Sequence, residues 1–249
     1  KIEGLTVGKT YTLKEEIAPK GYVRAREIQF KIEDTSEVQK VVMIDKIVDM
    51  IKSDIAGDEV EGAKMQVFDK EGKLVDEWIS GKEAHKIENL VEGEKYTLHE
   101  ETAPEGYVLA TDIEFEVTFE KGTQHENMTD KVVEMSKVDI GGEEIEGATI
   151  QVKDKDNKVI DEWVSGKEPH KISNLKEGET YTLHEEITAK GYVKATDTTF
   201  TVSLDKETQH EKMTDKIVEI TKENVARELL EGAKMQVFDD EGNLVDEWI

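Results

Sequence analysis

Ala63-Lys64-Met65-Gln66-Val67-Phe68 alternates inward and outward positions, breaks at Asp69-Lys70-Glu71-Gly72, and resumes past Lys73 as a run ending in Asp76-Glu77-Trp78. Alternation with period two marks a strand with one buried face, and a polar break closed by glycine marks a turn. Lys95–His99 and Asp112–Phe119 alternate in the same way. No stretch carries a long, capped helical stripe. Seven or so short strands in each repeat predict an all-β fold, an antiparallel β-sandwich.

The same hairpin recurs along the chain. Tyr-Thr-Leu begins at Tyr11, Tyr96 and Tyr181, and Gly-Tyr at Gly21, Gly106 and Gly191. Glu-Gly-Ala begins at Glu61, Glu146 and Glu231, Met-x-Asp-Lys at Met43, Met128 and Met213, and Asp-Glu-Trp closes at Trp78, Trp163 and Trp248. Every landmark returns after 85 residues, which predicts a string of like units. Residues 47–131 and 132–216 are then whole repeats, residues 1–46 the C-terminal part of one, and residues 217–249 the N-terminal part of another. The chain falls short of three full copies by the equivalent of Ser80–His85, a polar stretch that reads as a loop.

Composition narrows the function. The 249 residues carry 33 Lys+Arg against 58 Asp+Glu, a net charge of −25. That balance argues against nucleic acid and against an anionic membrane surface, both of which select basic patches. No apolar run approaches the ~20 residues that span a bilayer, so no membrane insertion is expected. Lys1-Ile2-Glu3-Gly4 does not read as a signal peptide, which places any targeting segment outside this sequence. The absence of cysteine excludes disulfides and thiolate metal sites.

Most candidate chemistry dissolves on inspection. Asp69–Lys73 and Asp154–Lys158 lack the closing bidentate glutamate of a calcium loop and read as hairpin turns. His85, His99, His125 and the other three histidines lack metal-ligand spacing and read as solvated positions, so neither metal nor cofactor is expected. Trp78, Trp163 and Trp248 read as core packing rather than a sugar platform. No nucleophile elbow or phosphate loop is present, and no turnover enzyme is expected.

One recurring set of residue types stands apart. A lysine sits in the first strand of each copy (Lys52, Lys137, Lys222), a glutamate follows Tyr-Thr-Leu-x (Glu15, Glu100, Glu185), and an aspartate closes the last apolar run (Asp45, Asp130, Asp215). Buried together, such groups rearrange their protons, because desolvation disfavours every charged form. A neutral amine can then attack the aspartic carboxyl carbon while a glutamic acid relays the proton and water leaves, giving a side-chain amide. Spacing alone favours a blander reading, a buried ion pair or solvated charges on strand faces.

These motifs resemble the collagen-adhesin B-type (CnaB) domains of Gram-positive surface proteins and pilins, including the parent domain of the SpyTag/SpyCatcher pair. Met135-Ser-Lys-Val-Asp139 followed by Glu146-Gly-Ala-Thr149 is similar to the reactive-lysine strand, and Lys40-Val-Val-Met-Ile-Asp45 to the reactive-aspartate strand. Tyr96-Thr-Leu-His-Glu100, then Ala103-Pro-Glu-Gly-Tyr107, is similar to the family's most recognisable motif, although Ile187-Thr-Ala-Lys190 lacks the proline. The resemblance implies Ig-like or prealbumin-like sandwiches, isopeptides Lys52–Asp130 and Lys137–Asp215, and Glu100 and Glu185 as the catalytic acid/base. The first glutamate of each pair is chosen because it keeps the family's distance to Gly-Tyr and because adjacent strand residues face opposite ways. Asn127 is a rival acceptor, but it lies an odd number of residues from Asp130 and is replaced by Val42 and Lys212 in register.

The expected role is an extracellular, cell-surface stalk or filament subunit. Residues 217–249 carry Lys222 without an aspartate, and residues 1–46 carry Glu15 and Asp45 without the lysine. A Lys222–Asp45 bond between subunits is therefore expected to give a covalent head-to-tail homopolymer. The competing expectation is a window on a longer array. A different class, an adhesin module binding host protein or glycan, would need an exposed aromatic or apolar patch, and aromatics are only 6% of the residues.

Overall fold

A half-apolar strand pair is stable only when a second sheet covers its apolar face. The computed structural model describes residues 2–120, 122–205 and 207–249, so Lys1, where the first segment begins, lies outside the described residues. The leading segment contributes β1 (Thr10–Leu13) and β2 (Ile28–Lys31). The next seven strands are β3 (Ile47–Asp54), β4 (Lys64–Asp69), β5 (Leu74–Ile79), β6 (His85–Lys86), β7 (Lys95–Thr102), β8 (Ile113–Glu116) and β9 (Thr123–Asp130). They recur as β10 (Val133–Val138), β11 (Thr149–Lys153), β12 (Val159–Val164), β13 (His170–Lys171), β14 (Thr180–Ile187), β15 (Thr198–Thr201) and β16 (Gln209–Thr214). A final hairpin pairs β17 (Met235–Phe238) with β18 (Leu244–Trp248). No helix occurs among the described residues, and so none long and apolar enough to cross a membrane.

The fold is all-β, a series of two-sheet sandwiches. In one, a sheet ordered β5-β4-β7-β8 faces a sheet ordered β6-β3-β9; in the next, β12-β11-β14-β15 faces β13-β10-β16. The alternation in the sequence is the alternation in burial. Met65 and Val67 of β4, Leu98 of β7, Val48 and Met50 of β3 and Met128 of β9 all point into the core. Ile150, Val152, Leu183, Val133, Met135 and Met213 repeat that core in the second sandwich.

One pairing departs from the antiparallel expectation. β3 and β9 run parallel, from Ile47↔Thr123 to Asp54↔Asp130, as do β10 and β16. Parallel neighbours need a long crossover. Here the whole four-stranded sheet is the crossover, so the first and last strands of a sandwich lie side by side. β8 pairs over only Ile113–Glu116 of the Asp112–Phe119 alternation.

The recurring motifs have local causes. Asp69 Oδ1 accepts from Glu71 N at 3.0 Å and Lys73 N at 2.9 Å, closing the β4–β5 turn on its own side chain. The tyrosine of Tyr-Thr-Leu reaches back across a loop: Tyr96 Oη accepts from Val91 N and Tyr181 Oη from Lys176 N, both at 2.9 Å. Gly93 has φ +83°, and a Cβ there would meet the Phe119 ring at 2.7 Å.

Tyr181→Phe leaves the Lys176 amide without its acceptor, and we expect it to cost about 1–2 kcal/mol. A lowered thermal midpoint by circular dichroism, beside an unchanged one for the outward-facing Glu186→Gln, checks this.

Candidate cross-linking site

The inward face of β3 runs Val48, Met50, Lys52, so the period that buries two apolar side chains also buries an amine. β7 does the same with Tyr96, Leu98 and Glu100, and β9 with Met128 and Asp130. These strands belong to facing sheets or are neighbours in one, and their three polar side chains meet in the core. Lys52 Nζ donates to Asp130 Oδ1 and lies 3.1 Å from Glu100 Oε1, with all three side chains fully buried. The second sandwich repeats the site: Lys137 Nζ donates to Asp215 Oδ1 and lies 3.1 Å from Glu185 Oε1.

The glutamates are aimed by the backbone. Glu100 Oε2 accepts from Ala110 N at 2.8 Å, and Glu185 Oε2 from Ala195 N at 2.6 Å, which leaves Oε1 of each facing the lysine. Glu101, one residue on, points outward to Lys64 and Gln66. Asn127 is exposed and accepts from Ser53 Oγ at 3.1 Å, away from the buried amine.

The electrostatics follow from one cation and two carboxyls in a dry core. Fully ionised, the set would carry a net negative charge with no water to screen it. Burial raises the Asp130 carboxyl to about 7, opposed by the charge of Lys52 and reinforced by the Glu100 carboxyl beside it. Burial also raises Asp215. Among the described residues no hydrogen bond reaches Asp130 Oδ2, Asp215 Oδ2, Glu100 Oε1 or Glu185 Oε1, and the two glutamate oxygens have only their ion-pair contact with the lysine. A proton shared between the two carboxyls would give both orphaned oxygens a partner and neutralise the set.

The end segments hold the same residues in looser surroundings. Glu15 Oε2 accepts from Ala25 N at 2.9 Å, so the glutamate is aimed there too. Asp45 is half-buried, Lys222 is exposed, and the two form no ion pair among the described residues.

Two features escape a reading of the sequence. The histidines are not simply solvated: all six lie against carboxylates, as in His85–Asp76 (2.9 Å), His99–Asp112 (2.6 Å) and His125–Asp49 (2.6 Å). His85 and His170 also stack on Trp78 and Trp163, with ring centroids 4.1 and 4.0 Å apart. The second feature is a set of buried lysines at the repeat junctions, Lys46 and Lys131. Their signal in the sequence is a lysine directly after each of Asp45, Asp130 and Asp215. Among the described residues no group of three or more histidines and carboxylates could hold a metal ion.

A family model for the SpaA prealbumin-like fold domain matches residues 1–47, 46–132 and 131–217. Among solved structures, the Bacillus anthracis TIE protein is 22% identical with a TM-score of 0.30, over 84% of this chain and 42% of that one. The chain thus spans less than half the length of that protein. The shaft pilin SpaA from Lactobacillus rhamnosus GG is 11% identical with a TM-score of 0.31, over 70% of this chain and 98% of that one. The Streptococcal ancillary pilin is 18% identical with a TM-score of 0.33, over 83% of this chain and 75% of that one. No curated protein matches the chain.

Lys52→Met leaves two carboxyls buried without their cation, and we expect it to destabilise its repeat by about 3–5 kcal/mol. The loss is expected to deepen with pH. Asp130 already holds its proton to about pH 7 in the folded chain, whereas an unfolded aspartate releases it near the ordinary carboxylate value of 3.8. The folded state therefore binds the extra proton in that window, and stability falls as pH rises through it. Thermal midpoints of the variant at pH 5 and pH 8 test the sign; a higher midpoint at pH 8 would refute it.

Proposed function

The chain belongs to the family of SpaA prealbumin-like fold domains, and on that premise we propose that it is a structural segment of an extracellular Gram-positive surface stalk or pilus-like filament. In this reading each repeat welds itself with a Lys–Asp isopeptide. The observation that carries the proposal is the twice-repeated, fully buried contact of one amine with two carboxyls.

The chemistry balances within each site. The neutral amine of Lys52 attacks Cγ of the protonated Asp130, forming the Nζ–Cγ bond. One carboxyl oxygen departs as water with two protons, one from the carboxyl and one from the amine. Glu100, held through Oε2 by Ala110 N, relays protons through Oε1. Lys137, Asp215 and Glu185 do the same in the next repeat. The reaction occurs once per site, so the chain is the substrate of its own chemistry and not an enzyme.

The bond would join β3 to β9, the first and last strands of a repeat, across 78 residues of sequence. By analogy with disulfide loops, such a closure stabilises by about 4 kcal/mol. Load arriving at β3 would pass to β9 through a covalent bond instead of through the sheet. Resistance to pulling and to proteolysis is the benefit.

The same reading extends to the ends. Val48 and Met50 are buried in the whole repeat, whereas their register equivalents Val218 and Ile220 are 67% and 49% exposed. Ile87 is buried, whereas Ile2 is 69% exposed. Each end segment thus presents part of a sandwich core. We propose that segments of these two kinds, 217–249 from one subunit and 1–46 from another, complete one repeat wherever they meet, placing Lys222 against Asp45 and Glu15 in a covalent head-to-tail homopolymer.

Intact mass after full denaturation tests both parts. The monomer is expected to be lighter than its sequence by two waters, and Glu100→Ala to regain one. An unshifted mass sinks the isopeptide reading. Denaturant-resistant multimers that persist in Asp45→Ala, or an absence of multimers at high concentration, sink the head-to-tail scheme.

A further inference from the structure

A lysine follows each acceptor aspartate, at Lys46, Lys131 and Lys216. Lysines between strands are ordinarily solvated. Lys46 is 6% exposed and Lys131 fully buried, and both reach forward, out of the segment that carries them. Lys131 Nζ donates to Ser203 O and Ser203 Oγ at 2.8 Å and to Asp205 O at 2.9 Å, all in the following repeat. Lys46 Nζ donates to Thr118 O and Thr118 Oγ1 at 2.9 Å and to Gln124 Oε1 at 3.1 Å, again one repeat ahead. Thr118 and Ser203 are register equivalents, so the same seat is occupied twice. Several oxygens converging on one ammonium match its three donors and repay its desolvation.

The seat is shaped by its own repeat. Gln209 Oε1 accepts from Ser203 N and its Nε2 donates to Thr201 O, both at 2.9 Å, folding the loop so that Ser203 O faces the junction. Gln124 clips Thr118 N and Glu116 O in the same way, at 3.0 and 2.9 Å.

A second set of contacts joins the same two repeats. The Ala103-Pro-Glu-Gly-Tyr107 loop, whose Gly106 has φ +81°, lies against Lys171, and Gly106 N donates to Ser173 Oγ at 3.0 Å. Leu109 N then donates to Leu175 O at 2.9 Å, and Thr111 Oγ1 to Glu177 Oε2 at 2.9 Å. The junction before it repeats the backbone part: Arg24 N donates to Leu90 O at 3.0 Å and Glu92 N to Arg24 O at 3.1 Å. Two attachments through different loops of the following repeat remove rotations that a single one would permit.

We propose that each repeat carries a docking surface for the end of the repeat before it, and that Lys46 and Lys131 are the latches that hold successive repeats in one fixed orientation. The occupant is a lysine placed directly after an acceptor aspartate. Asp130 would thus anchor β9 within its own repeat while Lys131 anchors the same strand end in the next. This rests on the geometry of the seam and holds whether or not the isopeptides form.

The cysteine-free chain allows a clean test. Ile79→Cys and Val164→Cys, exposed and equivalent on β5 and β12, take spin labels, and pulsed dipolar spectroscopy reads the distance distribution across the junction. The parent chain is expected to give a single narrow peak. Lys131→Met is expected to broaden it about twofold, since repeats without a firm interface move freely. An equally narrow peak in Lys131→Met overturns the proposal. Gln209→Leu loosens the seat with the lysine intact, so it serves if Lys131→Met fails to fold: broadening supports the latch, and an unchanged peak overturns it. Intact mass of the same samples reports the cross-links separately.

Discussion

The burial of an amine with two carboxyls is the constraint on which the rest of each repeat depends. An apolar trio at these positions would cost nothing in desolvation, so the fold does not need the charges to close its core. Their presence forces a compensation: each of the three groups must find its partner inside the sandwich, and the total charge must be reduced by a proton. The surrounding backbone is arranged accordingly. Ala110 N and Ala195 N hold one oxygen of each glutamate, which leaves the other for the lysine. The same groups that compensate one another's charge are thereby held within proton-exchange distance of one another.

Much of this was legible in the residues. The alternation in Ala63–Phe68 and Tyr96–Glu100 foretold which side chains turn inward, since a strand has two faces and register allows no compromise. It also singled out Glu100 over Glu101 and Asp130 over Asn127, because odd separations fall on opposite faces. The 85-residue recurrence then supplied three readings of one pattern. Such redundancy is rare in a single sequence, and it is why residue spacing and family resemblance could converge on the same nine positions.

What stayed hidden is equally physical. The parallel pairing of β3 with β9 depends on how two distant segments meet, and alternation carries no information about direction. The carboxylate partners of the histidines lie across strands, as with His125 and Asp49, 76 residues apart. Nothing in the sequence singles out the partners of Lys131, because two of the acceptors it reaches, Ser203 O and Asp205 O, are main-chain oxygens, and every residue has one. A side chain that binds backbone leaves no complementary letter in the sequence.

The side-by-side placement of the first and last strands sets an order of events for a chain made from its N-terminus. β3 cannot find its parallel neighbour until β9 exists, so a repeat remains open until its final residues appear. All the strands between belong to that same repeat, and β10 follows only after β9 is complete. Each sandwich is therefore able to shut before a look-alike strand from its successor is available to compete. Tandem units this similar are prone to exchanging strands with their neighbours. Here the topology itself schedules assembly, one unit at a time, so that correct pairing has the first opportunity.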